Sequence, residues 1–544
     1  MRKFALLIIA ILLVPLCLTT VSCKKDKTLT LNVYNWEEYI AEDDYDLISE
    51  FEKYYKQTYG VKVKVNYSTF GTNENMYNEL KLTQNKDKGT YDYDLVCPSD
   101  YMIQRMIEED MLEKYDYNNG YTYIENYNEY TSPYIKKLFT DNNWQEYATC
   151  YMWGTMGYTY NPEKVKMEDM QTWKGILKPE YKYKSTIKDS PRDSYVLAMG
   201  IAYENELNAL DRTASDYNSN LVNLFNTVNK ESIDRVDGVL RDIKKNIYGF
   251  EVDSGKNDMA SGKLWINFAW SGDAVYVLDV AEEAGTELYY TVPDEGSNIF
   301  FDGWVMPKGA NKELAQEFLN FLYRPESAVE NMNYIGYTPA TAGDEMFENA
   351  IDWYGLYTLI ESDESDESVY IDGKHYEEYY FGDLDDSQLS TISNGDGTYN
   401  ILYPIYDEAE ENIIGFEEDT VEVFARDVDY FFSNISDEYK TDGKAIIYID
   451  SEYRQFDTQY PSEEIVNRCA VMKHLPTEQN KMLNDMWASV KIGYMKPLYM
   501  ILILVAIALV LVFVIVFFKL IESGKFGYGK TRKNMKLISR IEKK

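Results

Sequence analysis

Histidine is almost missing from this chain of 544 residues: only His375 and His474 occur, far apart and with no cysteine beside either. That excludes a zinc site of mixed imidazole and thiolate ligands, and leaves acid–base chemistry to carboxylates alone. Cysteine is scarce too, with five residues, of which Cys23, Cys97, Cys150 and Cys469 follow the first part of the N-terminal apolar stretch. This is no disulfide framework, although a single Cys97–Cys150 bridge stays open as an alternative. There is no glycine-rich phosphate loop and no nucleophile–base–orienter set, so binding is favoured over catalysis. Positive charge is also short: Lys and Arg number 54 against 91 Asp and Glu, for a net charge of -37. Residues 1–27 carry +4 and residues 519–544 carry +7, which leaves -48 on the stretch between them. Such a surface repels nucleic acid and suits a cationic ligand, or simply a soluble, self-repelling exterior.

Long apolar runs are confined to the two ends. The chain opens with Arg2 and Lys3, an apolar core from Phe4 to Leu18 and then small polar residues, the pattern of a secretory signal, with a retained anchor as the alternative. Thr20-Val21-Ser22-Cys23 resembles the end of a bacterial lipoprotein signal, which makes Cys23 a candidate for lipidation, although Thr20 stands where Leu is usual. At the other end, Pro497–Phe518 runs 22 residues without a charge. At about 1.5 Å per residue a helix of this length crosses about 30 Å of hydrocarbon. The basic tail 519–544 that follows is placed in the cytoplasm by the positive-inside rule. The segment between is then expected outside the cell membrane, tethered to its lipid.

That exported segment is too long for one core of ordinary size, so two lobes are expected. Leu29–Tyr34 and Val61–Tyr67 alternate as strands, Asp43–Gln57 and Asn73–Leu82 read as helices, Asp94–Cys97 as a short buried strand and Met102–Glu109 as the next helix. Repeated strand–helix units predict an α/β fold with a mostly parallel sheet. Cys150–Tyr160 reads as a strand pair crossing to the second lobe. There Tyr183–Lys188, Leu264–Ala269, Glu287–Val292 and an Ile299–Met306 strand interrupted at Phe301-Asp302-Gly303 alternate with helices over Leu221–Ile247, Ala274–Ala284 and Ala310–Leu322. Residues 351–450 hold 27 Asp/Glu against four Lys/Arg and read as a structured acidic insertion with a mobile loop at 361–368. They contain no calcium loop of standard spacing. Gln459–Lys491 returns to helix.

Loops at strand ends bring together aromatics and carboxylates: Trp36, Glu38 and Tyr39; Ser99 and Tyr101; Asp193; Trp270 and Asp273; Phe300 and Asp302; Tyr337. Carboxylates can hold the ammonium ends of a linear polyamine by charge-assisted hydrogen bonds, while aromatic faces stack on its methylenes and attract its charge. Leu31-Asn32-Val33-Tyr34-Asn35-Trp36-Glu37-Glu38-Tyr39, then Tyr67-Ser68-Thr69-Phe70 with Asn73-Glu74 and Met76-Tyr77, Tyr93-Asp94-Leu95-Val96 and Pro98-Ser99 form one set of motifs. Trp153-Gly154-Thr155, Trp270-Ser271-Gly272-Asp273, Phe300-Phe301-Asp302, Ile335-Gly336-Tyr337 and the stretch from Gln459-Tyr460-Pro461 to Trp487 complete it. In these motifs, over roughly 29–340 and 452–491, the exported segment resembles the bacterial spermidine/putrescine-binding proteins, the solute receptors of polyamine ABC importers.

The resemblance implies a two-lobed periplasmic-binding-protein-like fold of type II, with lobe one over 24–158, lobe two mainly over 159–340, an insertion over 341–450 and a closing helical part over 451–491. It makes Trp36, Tyr39, Ser99, Tyr101, Trp270, Asp273 and Tyr337 cleft-lining residues, and Asp193, Asp273 and Asp302 amine carboxylates. Phe300 then lies against the methylenes, Glu38 falls where putrescine receptors carry an acid, and Ser190 replaces an additional acid of the spermidine receptor. It further implies closure of the lobes about a hinge near 153–160 and 250, no cofactor, no enzymatic activity, and permease subunits fed by a cytoplasmic ATPase as partners. A membrane-anchored sensor or adhesion module on the same fold is the main alternative; a carboxylate glycosidase fits the aromatic–acid pattern less well.

Overall fold

The computed structural model describes residues 28–42, 45–365, 367–407, 412–450 and 454–492, together with 509, 510, 512 and 514. The expected signal, Cys23 and the basic tail lie outside the described residues, as does most of the expected membrane span at 497–518. Among the described residues no helix is long and apolar enough to cross a membrane. The chain divides into two compact units, Met1–Asn480 and Lys481–Lys544, and everything below concerns the first.

Strand β1 (Leu29–Trp36) alternates β-branched or bulky apolar residues with polar ones and pairs in parallel with β2 (Val63–Phe70), Leu29 opposite Val63. The helix between them, Leu47–Tyr59, starts where Asp46 accepts the backbone N–H groups of Ile48 and Ser49, and stops at Gly60, which takes a φ of 67°. It buries Leu47 and Phe51, and Phe51 meets Phe318 of the later helix Lys312–Leu322 edge to face at 4.9 Å. Strand β3 (Leu95–Val96) joins the other side of β1, also in parallel.

The lobes are connected through β4 (Ala148–Tyr160), thirteen residues buried along their whole length. This is one continuous strand, not the strand pair read from the sequence. Its first part, to Thr155, pairs antiparallel with β9 (Ser297–Val305) in the first lobe; its second part, from Met156, pairs antiparallel with β7 (Ile266–Trp270) and, from Tyr158, with β8 (Tyr289–Thr291) in the second. Beyond β7 come β5 (Ser185–Lys188) and β6 (Gly249–Glu251), both parallel, with β6 at the sheet's edge. The sheet is therefore mixed: parallel at its two ends, antiparallel where the lobes join. Residue 250 lies on this edge strand, separated from β4 by β5 and β7, and the strand paired with the first part of β4 is β9. It runs unbroken through Phe301-Asp302-Gly303, because Asp302 finds hydrogen-bond partners inside the protein and Gly303 lies against the Thr149 carbonyl.

Two long expected helices are broken. Leu221–Ile247 is split into Tyr217–Phe225 and Lys230–Asn246, the second opened by an Asn229–Ser232 capping box. Gln459–Lys491 becomes the short helix Glu463–Asn467, a strand Cys469–Val471 parallel to β9, and the helix Thr477–Ile492. Met472 and Leu475 thus precede the last helix in the chain and are not part of it. Cys97, Cys150 and Cys469 are buried and free, so no Cys97–Cys150 bridge forms.

The acidic region is built on strands. A three-stranded sheet over Tyr357–Tyr380 and a hairpin of Thr398–Tyr406 with Ile413–Glu422 enclose a small core of Leu356, Ile360, Phe381, Leu384, Ile392 and Ile401. Its flanks, the helix Asp344–Tyr354 and residues 428–449, send Phe347, Phe431, Phe432 and Ile447 into the large core of the first lobe.

Candidate functional site

Strand ends and helix starts converge between the lobes. Trp36 is the last residue of β1, and Glu38 follows in the left-handed region at φ 49°, a conformation that costs a non-glycine residue free energy and recurs at binding sites. Ser99 precedes the helix Asp100–Glu108, which carries Tyr101 in its first turn. Ser190 caps the helix Pro191–Ala202 by accepting the backbone N–H of Asp193 at 3.3 Å, so the residue standing in place of an acid has a structural task. Trp270 ends β7, and Asp273 lies in the first turn of the helix Ser271–Glu283. Phe300 and Asp302, two apart on β9, share one face of it. Gly336, at φ 76°, ends the helix Pro325–Ile335 and releases Tyr337 toward the cleft. Gly272 lies so close to the Tyr337 ring that a Cβ there would stand 2.2 Å from it.

All eleven residues singled out from the sequence line one cleft, which encloses about 960 Å³ including its open mouth. Asp302 accepts hydrogen bonds from the Tyr39 hydroxyl (2.8 Å) and the Ser99 hydroxyl (2.6 Å), and Asn73 orders Ser99 in turn. Tyr39 meets Tyr337 edge to face at 4.8 Å, and the Tyr337 hydroxyl donates to Asp273 at 2.9 Å. Tyr101 donates to Glu74 at 3.1 Å beneath the Arg192 guanidinium, and Trp36 leans on Phe70 at 4.6 Å.

Burial pushes the Asp302 carboxyl up to about 6 against the hydrogen bonds from Ser99 and Tyr39, with the Asp193 charge adding to the rise. Burial raises Asp193 to about 6 as well, opposed by its bond to Ser190 and by Lys188. Asp302 is thus buried with only neutral hydroxyls to stabilise its charge, whereas Lys188 and Arg192 partly offset the burial of Asp193.

Two cations of the chain itself also line the cleft, and sequence reasoning missed both. The Lys188 ammonium donates to Asp273 (3.1 Å) and to the Val252 carbonyl (2.7 Å), pairs with Glu251 at 3.3 Å, and lies 4.1 Å from the centre of the Trp270 ring. Lys256 donates to Glu38 at 2.7 Å and stands 3.8 Å from Asp273. Lys188 ends an expected strand, which could have flagged it; nothing in the sequence marks Lys256. No group of three or more residues suited to a metal is found among the described residues.

Two lobes joined through β4 around a polar, aromatic cleft have the architecture of a solute-binding receptor, and the family to which the chain belongs is a substrate-binding component of transport, not an enzyme. The chain belongs to the bacterial extracellular solute-binding protein family, whose profile matches residues 46–344, more than half of its length. A spermidine/putrescine-binding periplasmic protein of Salmonella typhimurium strain LT2 is 30% identical over 358 residues, covering 64% of this chain and 90% of that protein. The putrescine-binding periplasmic protein PotF of Escherichia coli strain K12 is 28% identical over 324 residues, covering 57% and 78%. The structure of a spermidine/putrescine ABC transporter protein from Listeria monocytogenes shares the fold, with a TM-score of 0.54 at 21% identity, over 85% of this chain and 99% of that one.

Proposed function

We propose that this cleft captures putrescine, spermidine or a related linear amine outside the cell and delivers it to the permease of an ABC importer. The observation that carries the reading is the interleaving of carboxylates and aromatic rings along one cleft, where burial pushes up the Asp302 and Asp193 carboxyls and Asp302 has only two neutral hydroxyls as partners. In this reading those two receive an ammonium, and Trp36, Tyr101, Trp270 and Phe300 flank the methylenes. The lobes close about β4 and β9, and the closed form is what the permease recognises. The names of the two relatives support an amine as the ligand. The charge-free run 497–518, the basic tail and the sequence before Cys23 support attachment to membrane lipid at both ends, with the tail in the cytoplasm.

The test is titration calorimetry of the full chain in mild detergent with putrescine and spermidine. Saturable heat with either amine is expected. Silence with these and with other linear amines would reject the reading in favour of the sensor or adhesion alternative.

A further inference from the structure

The Asp273 carboxylate is not vacant. The side chain of Lys188 is four methylenes and an ammonium, chemically an alkylamine tethered to β5, and it is 1% exposed. Its head has what a bound alkylammonium would be given: two hydrogen bonds, two carboxylates, and an aromatic face at 4.1 Å. Glu251 cannot turn elsewhere, since it also accepts the backbone N–H of Gly255 (2.8 Å) and the Asn267 amide (3.0 Å). Asp273 is fixed from its other side by Tyr337. Nothing comparable faces Asp302, whose partners are two neutral hydroxyls.

The cleft is therefore asymmetric. At the β5–β7 end its acids are answered by Lys188, and by Lys256 on Glu38; on β9 Asp302 has only the two hydroxyls as hydrogen-bond partners.

We propose that Lys188 is a built-in occupant of the second amine position, so that the cleft reads a single ammonium of its ligand and accepts short primary alkylamines as readily as diamines. The proposal rests on the amine-capture reading above. Lys188 is a specificity-determining residue in this scheme: with it in place a second ligand ammonium finds Asp273 already paired. With it removed, Glu251 loses its cation and Asp273 keeps only the more distant Lys256 at 3.8 Å, a shortfall that a second ammonium relieves and a methyl group does not.

The experiment compares putrescine with n-butylamine, which differ at one end only, by calorimetry on the full chain and on Lys188→Met. Wild-type affinities within tenfold of each other, with K188M favouring putrescine by a hundredfold or more, are expected. A wild-type preference for putrescine of tenfold or more, or a preference unchanged in K188M, overturns the proposal while leaving amine capture standing. A wild type silent to both amines overturns the proposal even where K188M binds putrescine, and that binding would show that an amine fits the cleft once Lys188 is gone. Silence of both proteins rejects both. Should K188M not fold, the wild-type ratio alone decides.

Discussion

Asp302 and Asp193 set the pH response of the cleft. Each carboxyl titrates near 6 in the folded chain against 3.8 for a free aspartate, chiefly because burial disfavours its charge. Between those values the folded state holds more protons than the unfolded one, so stability falls as pH rises from about 4 to 6 and stays lowered above it. For Asp302 the shift amounts to about 3 kcal/mol. An ammonium bound beside the two carboxylates reverses the sign by favouring their charged forms. Amine affinity should therefore weaken by about tenfold per carboxylate between pH 7 and pH 5, with proton release on binding near pH 6. Calorimetry in buffers of different ionisation enthalpy measures both. An affinity flat across that range would mean that neither carboxyl meets the ligand.

At the scale of elements, the crossing strand β4 couples fold to site. Gly154 lies where a Cβ would stand 2.3 Å from the Ser271 hydroxyl and 2.9 Å from the Phe300 ring. Ser271 opens the helix that presents Asp273 and accepts the backbone N–H of Thr155, so the two lobes and the cleft meet at this point. Gly154→Ala should cost about 1–3 kcal/mol by overpacking and weaken amine binding, because Phe300 and the start of that helix must both give way. Urea unfolding beside calorimetry tests this, and unchanged values in both would show that the contact is slack. The strand ends that carry the site were legible in the sequence, because alternation located β1, a short buried run located β3, β7 was read as a strand over Leu264–Ala269, and the resemblance supplied the residues at their ends. Continuity was not. Glycines in Trp153–Tyr160 and Asp302-Gly303 in β9 carry low strand propensity, and only the pairing of β4 with β9 and β7 overrides it. The Lys188 pairing was hidden for a related reason: its partners Glu251 and Asp273 lie on β6 and on the helix after β7, and local pattern does not reveal which side chains three separate elements bring together.

Over the whole first unit, the acidic region is attached to the receptor without entering its cleft. The lining residues run from Trp36 to Tyr337 and resume at Met472, with none from the region between. The acidic strands have their own small core, and their roots are close: the Leu356 N–H donates to the Tyr448 carbonyl at 2.9 Å, while Phe424 pairs with the next residue, Ile449. A short glycine–serine linker can therefore replace residues 357–423. The cost falls on Leu356, which loses the small core, on Asp450, which loses the Tyr403 hydroxyl, and on Tyr448, whose N–H loses the Tyr380 hydroxyl and whose ring loses part of its cover. That loss is remote from Asp302 and Asp193, and effects at separated sites without shared partners are close to additive. The excised chain should thus bind amine within about threefold of the wild type while melting at a lower temperature. A loss of tenfold or more with the fold intact by circular dichroism would mean that the acidic strands act on the cleft through the helix Asp344–Tyr354. That helix stands seven residues beyond Tyr337, and through it their influence would reach the Tyr337–Asp273 bond.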